Sequence, residues 1–338
     1  MPYRARVHDT PVVLVLSGRD VKRLLDPDAL IDAVGEAMAE LSAGRASVPA
    51  RIAADVEERD AFLAAMPAYL PSVGVLETKL VAIFPRNTDR PTHQAVICAF
   101  DPEDGTPVGL IDGTTITEAR TAACSALATR LLAREDTETL AILGTGVQAR
   151  SHARFVTRVR PFRRLVVAGR SPEKAWALAG QLGDLGPEVG VAESFEEAVG
   201  RADVVCATTH SPEPVVRRGW LRPGVHVNSV GYNTSGVGEV DTDTVADATV
   251  FVESRAAALA PPPSGAVELL TAIEAGRIDR DHVRTEIGEV VAGTASGRAS
   301  PGEITLYKSV GVAAQDAAAA ALVLDAASRE GTGTEIEL

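Results

Sequence analysis

The sequence predicts an α/β protein whose main element is a doubly wound parallel sheet, accompanied by a smaller α+β domain. From Thr139 onward, short β-rich runs such as RLVVA, ADVVCATT and ATVFVES alternate with helical patterns, which is typical of a parallel sheet covered by helices on both faces. Before Thr114, one helical pattern precedes several strand-like runs joined by turns, which indicates a helix and an antiparallel sheet. A chain of 338 residues is long enough for two such domains.

The elements of the smaller domain can be predicted in order. The apolar run VVLVL predicts a first strand, because it is too short for a signal peptide and stops at a polar turn. Three strand-like runs, ETKLVAIFP, HQAVICAF and PVGLIDG, come later, and two long alanine-rich helices are predicted to join the domains. Between the first strand and these runs, apolar residues at helical intervals predict a helix that ends at Gly44: Leu30, Ile31, Val34, Met38 and Leu41.

Composition excludes several classes of function. The formal net charge of −13 disfavours a nucleic-acid partner, which usually requires a basic surface. No uncharged apolar run reaches the roughly 18 residues of a membrane span, so no membrane partner is expected. The three cysteines, Cys98, Cys124 and Cys206, have no paired spacing, which fits free thiols in a reducing compartment. We therefore expect a cytoplasmic protein that binds a small molecule, with no metal site.

A glycine turn opens the predicted parallel sheet. In ILGTGVQA, Gly144 can form the tight turn and Gly146 allows a pyrophosphate to approach the backbone. Ala149 occupies the third small position, and the helix that begins near Val147 would present free N–H groups to phosphates. Because the motif lies between a strand and a helix, we favour a Rossmann-type dinucleotide site over a purely structural turn.

The residues at the end of the next strand indicate which dinucleotide the protein binds. NAD-preferring folds usually carry an acidic residue there, but this chain has Gly169, Arg170 and Ser171 in VVAGRSPEK. An arginine and a hydroxyl suit a 2′-phosphate, so the sequence favours NADP(H), with NAD(H) as the alternative. The alternative for Arg170 is a solvated surface arginine with no role in cofactor binding.

Six stretches, in this order and spacing, resemble the ornithine cyclodeaminase and mu-crystallin family: MPAYL, ETKLVAIFPRN, DGTTITEARTAACSALATRLLAR, GTGVQA, VNSVG and ITLYKSVG. The resemblance implies a homodimer whose two antiparallel sheets meet across the two-fold axis. It also implies a substrate-binding and dimerisation domain of residues 1–118 plus 310–338. The Rossmann domain would comprise residues 119–309, inserted between those two parts.

The resemblance also implies roles for individual residues. Lys79 matches the active-site lysine of the family and Arg51 its substrate-carboxylate arginine, which can grip a carboxylate with two parallel bonds. Val310 matches a substrate-pocket position, and Met66 is a candidate to shape that pocket. Further candidates for the pocket wall are Phe62, Tyr69, Tyr232 and Pro261 to Pro263. Cofactor-binding positions implied in the same way are Arg120, Gln148, Thr209, Asn228, Val230 and Ser309.

One departure from the family decides the predicted reaction. Cyclodeaminases of the family carry an aspartate where this chain has Asn233, and asparagine cannot accept a proton near neutral pH. We therefore predict an NAD(P)H-dependent reductase of cyclic or linear imino acids, or the reverse amino-acid dehydrogenase reaction, with Lys79 and Asn233 at the catalytic positions. The alternatives are an ornithine or lysine cyclodeaminase that releases ammonia, and a non-catalytic NADPH-binding protein.

Two further residues have open interpretations. His93, predicted to lie opposite Lys79 if their strands pair, is either an acid or a structural histidine. Glu239 in GEVD either contributes to the site or caps the following helix.

Overall fold

The computed structural model describes residues 12–231, 238–261 and 264–337. In chain order, its strands are β1 (Val12–Leu16), β2 (Ile52–Val56), β3 (Ala61–Leu70), β4 (Val75–Ile83), β5 (His93–Phe100), β6 (Pro107–Asp112), β7 (Thr139–Leu143), β8 (Arg164–Ala168), β9 (Glu188–Val191), β10 (Val204–Ala207), β11 (His226–Ser229), β12 (Thr249–Val252), β13 (Thr285–Glu286), β14 (Thr305–Lys308) and β15 (Thr334–Glu337). Its α-helices are α1 (Gly18–Leu24), α2 (Pro27–Ser42), α3 (Gly113–Leu132), α4 (Val147–Val156), α5 (Pro172–Gln181), α6 (Phe195–Arg201), α7 (Thr242–Asp247), α8 (Arg255–Ala258), α9 (Val267–Glu274), α10 (Ile287–Val291) and α11 (Ala313–Glu330).

The chain forms two compact units. Unit 1 comprises the chain up to Arg120 and again from Val312 onward, and unit 2 runs from Thr121 to Gly311. The division falls inside α3 and just before α11, the two alanine-rich helices expected to join the domains. Together, the parallel sheet of unit 2 and the mixed sheet of unit 1 confirm the predicted fold class.

Unit 1 is built on a seven-stranded sheet with the order β15-β1-β6-β5-β4-β3-β2 within the described ranges. Neighbouring strands pair antiparallel, except that β1 and β6 are parallel. Helix α11 packs against β3 and β4. The face of β3 and β4 that carries Met66 and Lys79 is mostly buried and is called the inner face. The opposite, outer face carries Leu63 and Leu76.

Two features of unit 1 differ from the sequence expectation. The single predicted helix is two helices, because Asp26 caps a new helix with Pro27 in its first turn, and its side chain accepts a hydrogen bond from Ala29 N at 2.8 Å. Strands β2, β3 and β15 were not predicted. Pro67 has no N–H to donate, yet β3 tolerates it. Tyr69 N donates to Ser47 O, and the nitrogen of Pro67 points to the same side of β3. On that side the pairing with β2 ends at Ile52, so no hydrogen bond of the ladder is lost.

Unit 2 contains an all-parallel, eight-stranded sheet with the order β13-β12-β14-β11-β10-β7-β8-β9 in the described part of the chain. The central strands are short and buried on both faces, which explains their continuous valine- and alanine-rich runs. Strand β7 has β8 on one side and β10 on the other, so the strand order reverses there. In such sheets ligands bind beyond the carboxyl ends of the strands at this reversal.

Of the helices in the described ranges, none combines the length and the apolar character needed to cross a membrane.

Candidate functional site

In unit 1, the inner face of the sheet brings three predicted substrate residues to one level. Met66 and Lys79 lie opposite each other on β3 and β4, so both point to the same face. Strand β2 pairs Ile52 with Ala65, which brings Arg51, immediately before it, to the level of Met66. Met66 and Lys79 therefore share the inner face, and Arg51 directly precedes the neighbouring strand; the contact of these residues with a substrate carboxylate stays a prediction.

Lys79 is a buried cation with a specific acidic partner. Its side chain is 2% exposed, and its Nζ donates to Asp316 Oδ2 at 2.6 Å and to Thr117 Oγ1 at 3.4 Å. Burial lowers the pKa of Lys79 to about 8, although Asp316 opposes this effect. The amine can therefore gain or lose a proton near physiological pH, as a proton donor to an imine must.

Asp316, which sequence reasoning missed, connects the two cations of this cluster. It lies on α11 and is fully buried; its Oδ1 accepts a bond from Arg120 Nε at 3.1 Å while Oδ2 accepts the bond from Lys79. Burial raises the pKa of Asp316, but Arg120 and Lys79 outweigh it and hold the pKa below its ordinary value. The only signal in the sequence was an acidic residue inside the alanine-rich stretch AAQDAAAA.

Arg120 belongs to the same cluster. Besides Asp316, its guanidinium donates to Gln315 Oε1 at 2.7 Å. The sequence assigned Arg120 to the cofactor phosphates; the structure describes only its bonds within unit 1, and the phosphate contact stays a prediction.

Two further titratable groups are close to Lys79. The carboxyl oxygens of Glu77 have no hydrogen-bond partner among the described residues, and burial together with Asp316 raises the pKa of Glu77 well above its ordinary value. His93 was expected opposite Lys79, but the register pairs it with Ile83 and places Ile97 opposite Lys79. Burial and the charge of Lys79 lower the pKa of His93 to about 4, so its imidazole is neutral at pH 7 and cannot act as a cationic acid there.

In unit 2, the glycine turn has the geometry of a pyrophosphate site. Gly144 adopts φ +119° directly after β7, and a Cβ there would lie 2.8 Å from Thr208 Oγ1, so only glycine fits. Gly146 is the N-cap of α4 and provides no side-chain cap, and a Cβ there would enter open space. Val147 is half exposed, and Gln148 Oε1 is buried without a partner in the described chain. The turn fits a dinucleotide, since α4 begins there with backbone N–H groups that no side chain caps.

The end of β8 presents the residues predicted to select NADP(H). Arg170 is exposed one residue after Gly169. Ser171 is the N-cap of α5, where its hydroxyl accepts a bond from Lys174 N at 3.3 Å and donates to Glu173 Oε2 at 2.7 Å. The hydroxyl therefore already has local partners, whereas the Arg170 side chain extends into solvent.

Three predicted cofactor residues lie at or near the carboxyl ends of β10 and β11. Thr209 lies two residues after β10 and Val230 directly after β11, at the edge where a nicotinamide is expected. Asn228 is different, because its fully buried amide donates to Thr129 Oγ1 at 3.0 Å and its oxygen lies 3.2 Å from His226 Nε2. Its side chain thus has a structural role in the sheet, and its cofactor contact stays a prediction.

Two buried carboxylates, Glu253 and Glu239, organise the same edge. Ser309 Oγ and Val310 N donate to Glu253 at 2.6 and 2.8 Å, which fixes the two residues predicted to line the cofactor and substrate pockets. Glu239 does not cap α7, because Asp241 does so through Thr244 N at 2.9 Å. Sequence reasoning did not identify Glu253, which ends an ordinary strand pattern.

The structure does not bring all of the residues predicted for the substrate-pocket wall together. Tyr69 lies on the outer face of β3, opposite to the face of Met66 and Phe62, so it is not part of the same wall. Pro261 is exposed. Asn233, Tyr232, Pro262 and Pro263 lie outside the described residues.

Comparisons with known proteins point to one family. The ornithine cyclodeaminase/mu-crystallin family model matches residues 12–331. Ketimine reductase mu-crystallin of Mus musculus is 36% identical over 317 residues, 92% of this chain and 96% of that protein. The structure of Thermococcus litoralis Delta(1)-pyrroline-2-carboxylate reductase in complex with NADH and L-proline is 37% identical, with a TM-score of 0.91 over 96% of this chain and 100% of that one. An archaeal alanine dehydrogenase dimer with bound NAD is 31% identical, with a TM-score of 0.89 over 96% and 99%.

Proposed function

The chain belongs to the ornithine cyclodeaminase/mu-crystallin family, and from this premise we propose that it is a nicotinamide-dependent reductase of imino acids, able to run in reverse as an amino-acid dehydrogenase. The observation that carries the proposal is the buried Lys79, whose pKa of about 8 and whose partner Asp316 suit a proton donor. Similarity to a ketimine reductase and to a pyrroline-2-carboxylate reductase supports the same reaction class.

Unit 2 is proposed to bind the cofactor. Gly144, Gly146 and Val147 supply a turn and free backbone N–H groups for the pyrophosphate, and Gln148 follows in the first turn of α4. When bound, the reduced nicotinamide supplies the hydride. Arg170 favours NADP(H), because a guanidinium can hold a 2′-phosphate, although the two structural relatives named above bind NADH or NAD.

Unit 1 is proposed to bind the imino acid. Arg51 takes the carboxylate with two N–H groups, which orients the α-carbon. Lys79 Nζ then releases a proton to the imine nitrogen as the carbon accepts hydride, and the neutral amine recovers a proton from solvent. Asp316 keeps Nζ charged and in place before the transfer. In this proposal the substrate domain spans residues 1–118 plus 310–338, and the Rossmann domain spans residues 119–309.

The proposal is tested with Lys79→Met, which keeps a similar side-chain volume but removes the proton. Loss of NADPH absorbance is followed with Δ1-pyrroline-2-carboxylate, Δ1-piperideine-2-carboxylate and pyruvate plus methylamine, with NADH in parallel. We expect kcat/KM to fall at least about 100-fold, the usual scale for loss of a positioned acid, while NADPH still binds. The exposed Lys22→Ala is the matched control and should retain full activity.

Two results would contradict this function. Ammonia release from ornithine with catalytic NAD⁺ and no net cofactor change would identify a cyclodeaminase. NADPH binding by wild type with no turnover of any imine would identify a non-catalytic binder.

We further propose that the protein is a homodimer in the cytoplasm. The outer face and edge of the unit 1 sheet leave apolar side chains exposed, among them Leu63 at 47% and Ile52 at 71%. The similarity to a dimeric alanine dehydrogenase supports a dimer, and we propose this exposed apolar face as its contact surface. Leu63→Lys should yield monomers in sedimentation velocity, whereas Trp176→Lys, at a residue of unit 2 that is 61% exposed, should leave the dimer intact. The three free cysteines suit a reducing compartment.

A further inference from the structure

A fully buried carboxylate, Glu239, joins the carboxyl ends of two neighbouring strands in unit 2. Its Oε1 accepts a hydrogen bond from Thr209 N, just after β10. Its Oε2 accepts bonds from Gly231 N at 2.6 Å and from Ser229 Oγ at 3.4 Å, at the end of β11. One side chain therefore fixes the backbone of both strand ends.

Glu239 is in turn held by a buried ion pair. Lys308 Nζ donates to Glu268 Oε1 at 3.0 Å and to the carbonyl oxygen of Gly231 at 3.0 Å, and the same Glu268 oxygen accepts a bond from Glu239 N at 3.0 Å. Lys308 is 2% exposed and Glu268 is 1% exposed. Such a cluster is costly to bury, so a well-packed apolar group would stabilise the fold at least as well. A functional demand on these strand ends explains its presence better than stability alone.

The glycines next to the cluster leave no room for movement. A Cβ on Gly231 would overlap the Glu239 carboxyl group and the carbonyl oxygen of Thr209. Gly238 adopts φ +84°, and a Cβ there would overlap the Glu268 side chain. The backbone at both positions thus packs directly against the two carboxylates, so a change at either carboxylate is transmitted to the strand ends.

We propose that Glu239 is a positioning residue for hydride transfer, which acts by fixing Thr209 and Gly231 at the sheet edge that would hold the nicotinamide. The inference rests on the proposed function. Lys308 and Glu268 are the partners that fix Glu239. Because the Glu239 carboxylate binds Thr209, Ser229 and Gly231 and not the residues of the pyrophosphate turn, loss of Glu239 should impair the rate of hydride transfer far more than cofactor affinity.

The test uses Glu239→Gln, which keeps the volume but turns one acceptor into a donor that faces a backbone N–H. Stopped-flow single turnovers with NADPH and Δ1-pyrroline-2-carboxylate give the hydride-transfer rate, and NADPH fluorescence gives the Kd. We expect the rate to fall on the order of 10- to 100-fold and the Kd to change less than about threefold. Glu239→Asp keeps the charge but shortens the reach, and serves if the glutamine variant does not fold.

The matched control is Asp203→Asn. Asp203 also accepts two backbone N–H bonds, from Glu138 and Thr139 at 2.9 Å each, but at the amino ends of the strands of the same sheet. It should lower the melting temperature and leave the hydride-transfer rate within about twofold. A folded Glu239 variant with a wild-type rate, or an equal loss of rate in Asp203→Asn, would overturn the positioning role. A wild-type protein that transfers no hydride would overturn the proposed function itself, and the positioning role with it.

Discussion

Asp316→Asn is expected to shift the activity of the enzyme to lower pH. The substitution removes the charge that Lys79 Nζ contacts at 2.6 Å while keeping nearly the same shape. Removing one partner of a buried ion pair costs about 3–5 kcal/mol. If Lys79 loses about 3 kcal/mol of that stabilisation, its pKa falls by about two, since one pKa unit is about 1.4 kcal/mol. From about 8 in the wild type, the pKa of Lys79 would fall to about 6.

Activity shifts to lower pH because the protonated amine of Lys79 is the proposed proton donor. At pH 7.5, the protonated fraction of Lys79 would fall from about three quarters to about one thirtieth, so kcat/KM should fall about 25-fold and recover toward pH 5.5. The assay is the pH profile of kcat/KM for one imino acid, because the ionisation of the substrate is then common to both enzymes.

The control for this prediction is Glu40→Gln. Glu40 is another buried carboxylate of unit 1, whose partner is Ser72 rather than a cation. This variant should lose stability without moving the pH profile. If Asp316→Asn keeps the wild-type apparent pKa, however much its rate falls, Asp316 does not raise the pKa of Lys79 as proposed.

Three further predictions concern unit 2. Arg170→Ala should raise the KM for NADPH about 10-fold and leave that for NADH unchanged; an equal effect on both would contradict 2′-phosphate recognition. Gly144→Ala, with φ +119° and a Cβ 2.8 Å from Thr208 Oγ1, should abolish NADPH binding in a fluorescence titration, whereas Gly180→Ala, with nothing within 4 Å, should not. Burial lowers the pKa of His226 to about 3. As the pH falls, His226 is therefore protonated in the unfolded chain before it is protonated in the folded one. This lowers the free energy of unfolding below pH 6.5, by up to about 1.4 kcal/mol per pH unit. Between pH 7 and pH 5 this amounts to about 2 kcal/mol, so urea titrations at the two pH values should show that the free energy of unfolding falls by about 2 kcal/mol less in His226→Gln than in the wild type; an equal fall in both would refute it.

The parallel sheet was predictable because its signals are local. The short buried strands alternate with helices along the chain and the glycine turn lies between the first strand and helix of this series, so Gly144 and Gly146 could be assigned from the pattern alone. The unit 1 sheet was harder to predict. All residues of β2 are exposed, and β3 is a run of small and apolar residues interrupted by Pro67, so neither sequence shows the polar and apolar alternation of a half-buried strand.

The candidate site was predictable only where a residue is conspicuous by itself. Lys79 stands out as a charge in an apolar strand. Asp316 is more than 200 residues away in sequence, and no local pattern links it to Lys79; only the packing of α11 on β4 does. The register that pairs His93 with Ile83 could not be predicted from the sequence either, because strand pairing depends on the whole sheet.

The most direct test of the central claim is to follow the transferred hydrogen. Δ1-pyrroline-2-carboxylate is reduced with NADPH deuterated at the reactive C4 position, and the product is analysed by NMR. The proposed function predicts proline with one deuterium at the α-carbon and one NADPH consumed per product, and formation of the same product at least about 100-fold more slowly by Lys79→Met. Proline without deuterium at that carbon, or proline formed only from ornithine with release of ammonia, would contradict it.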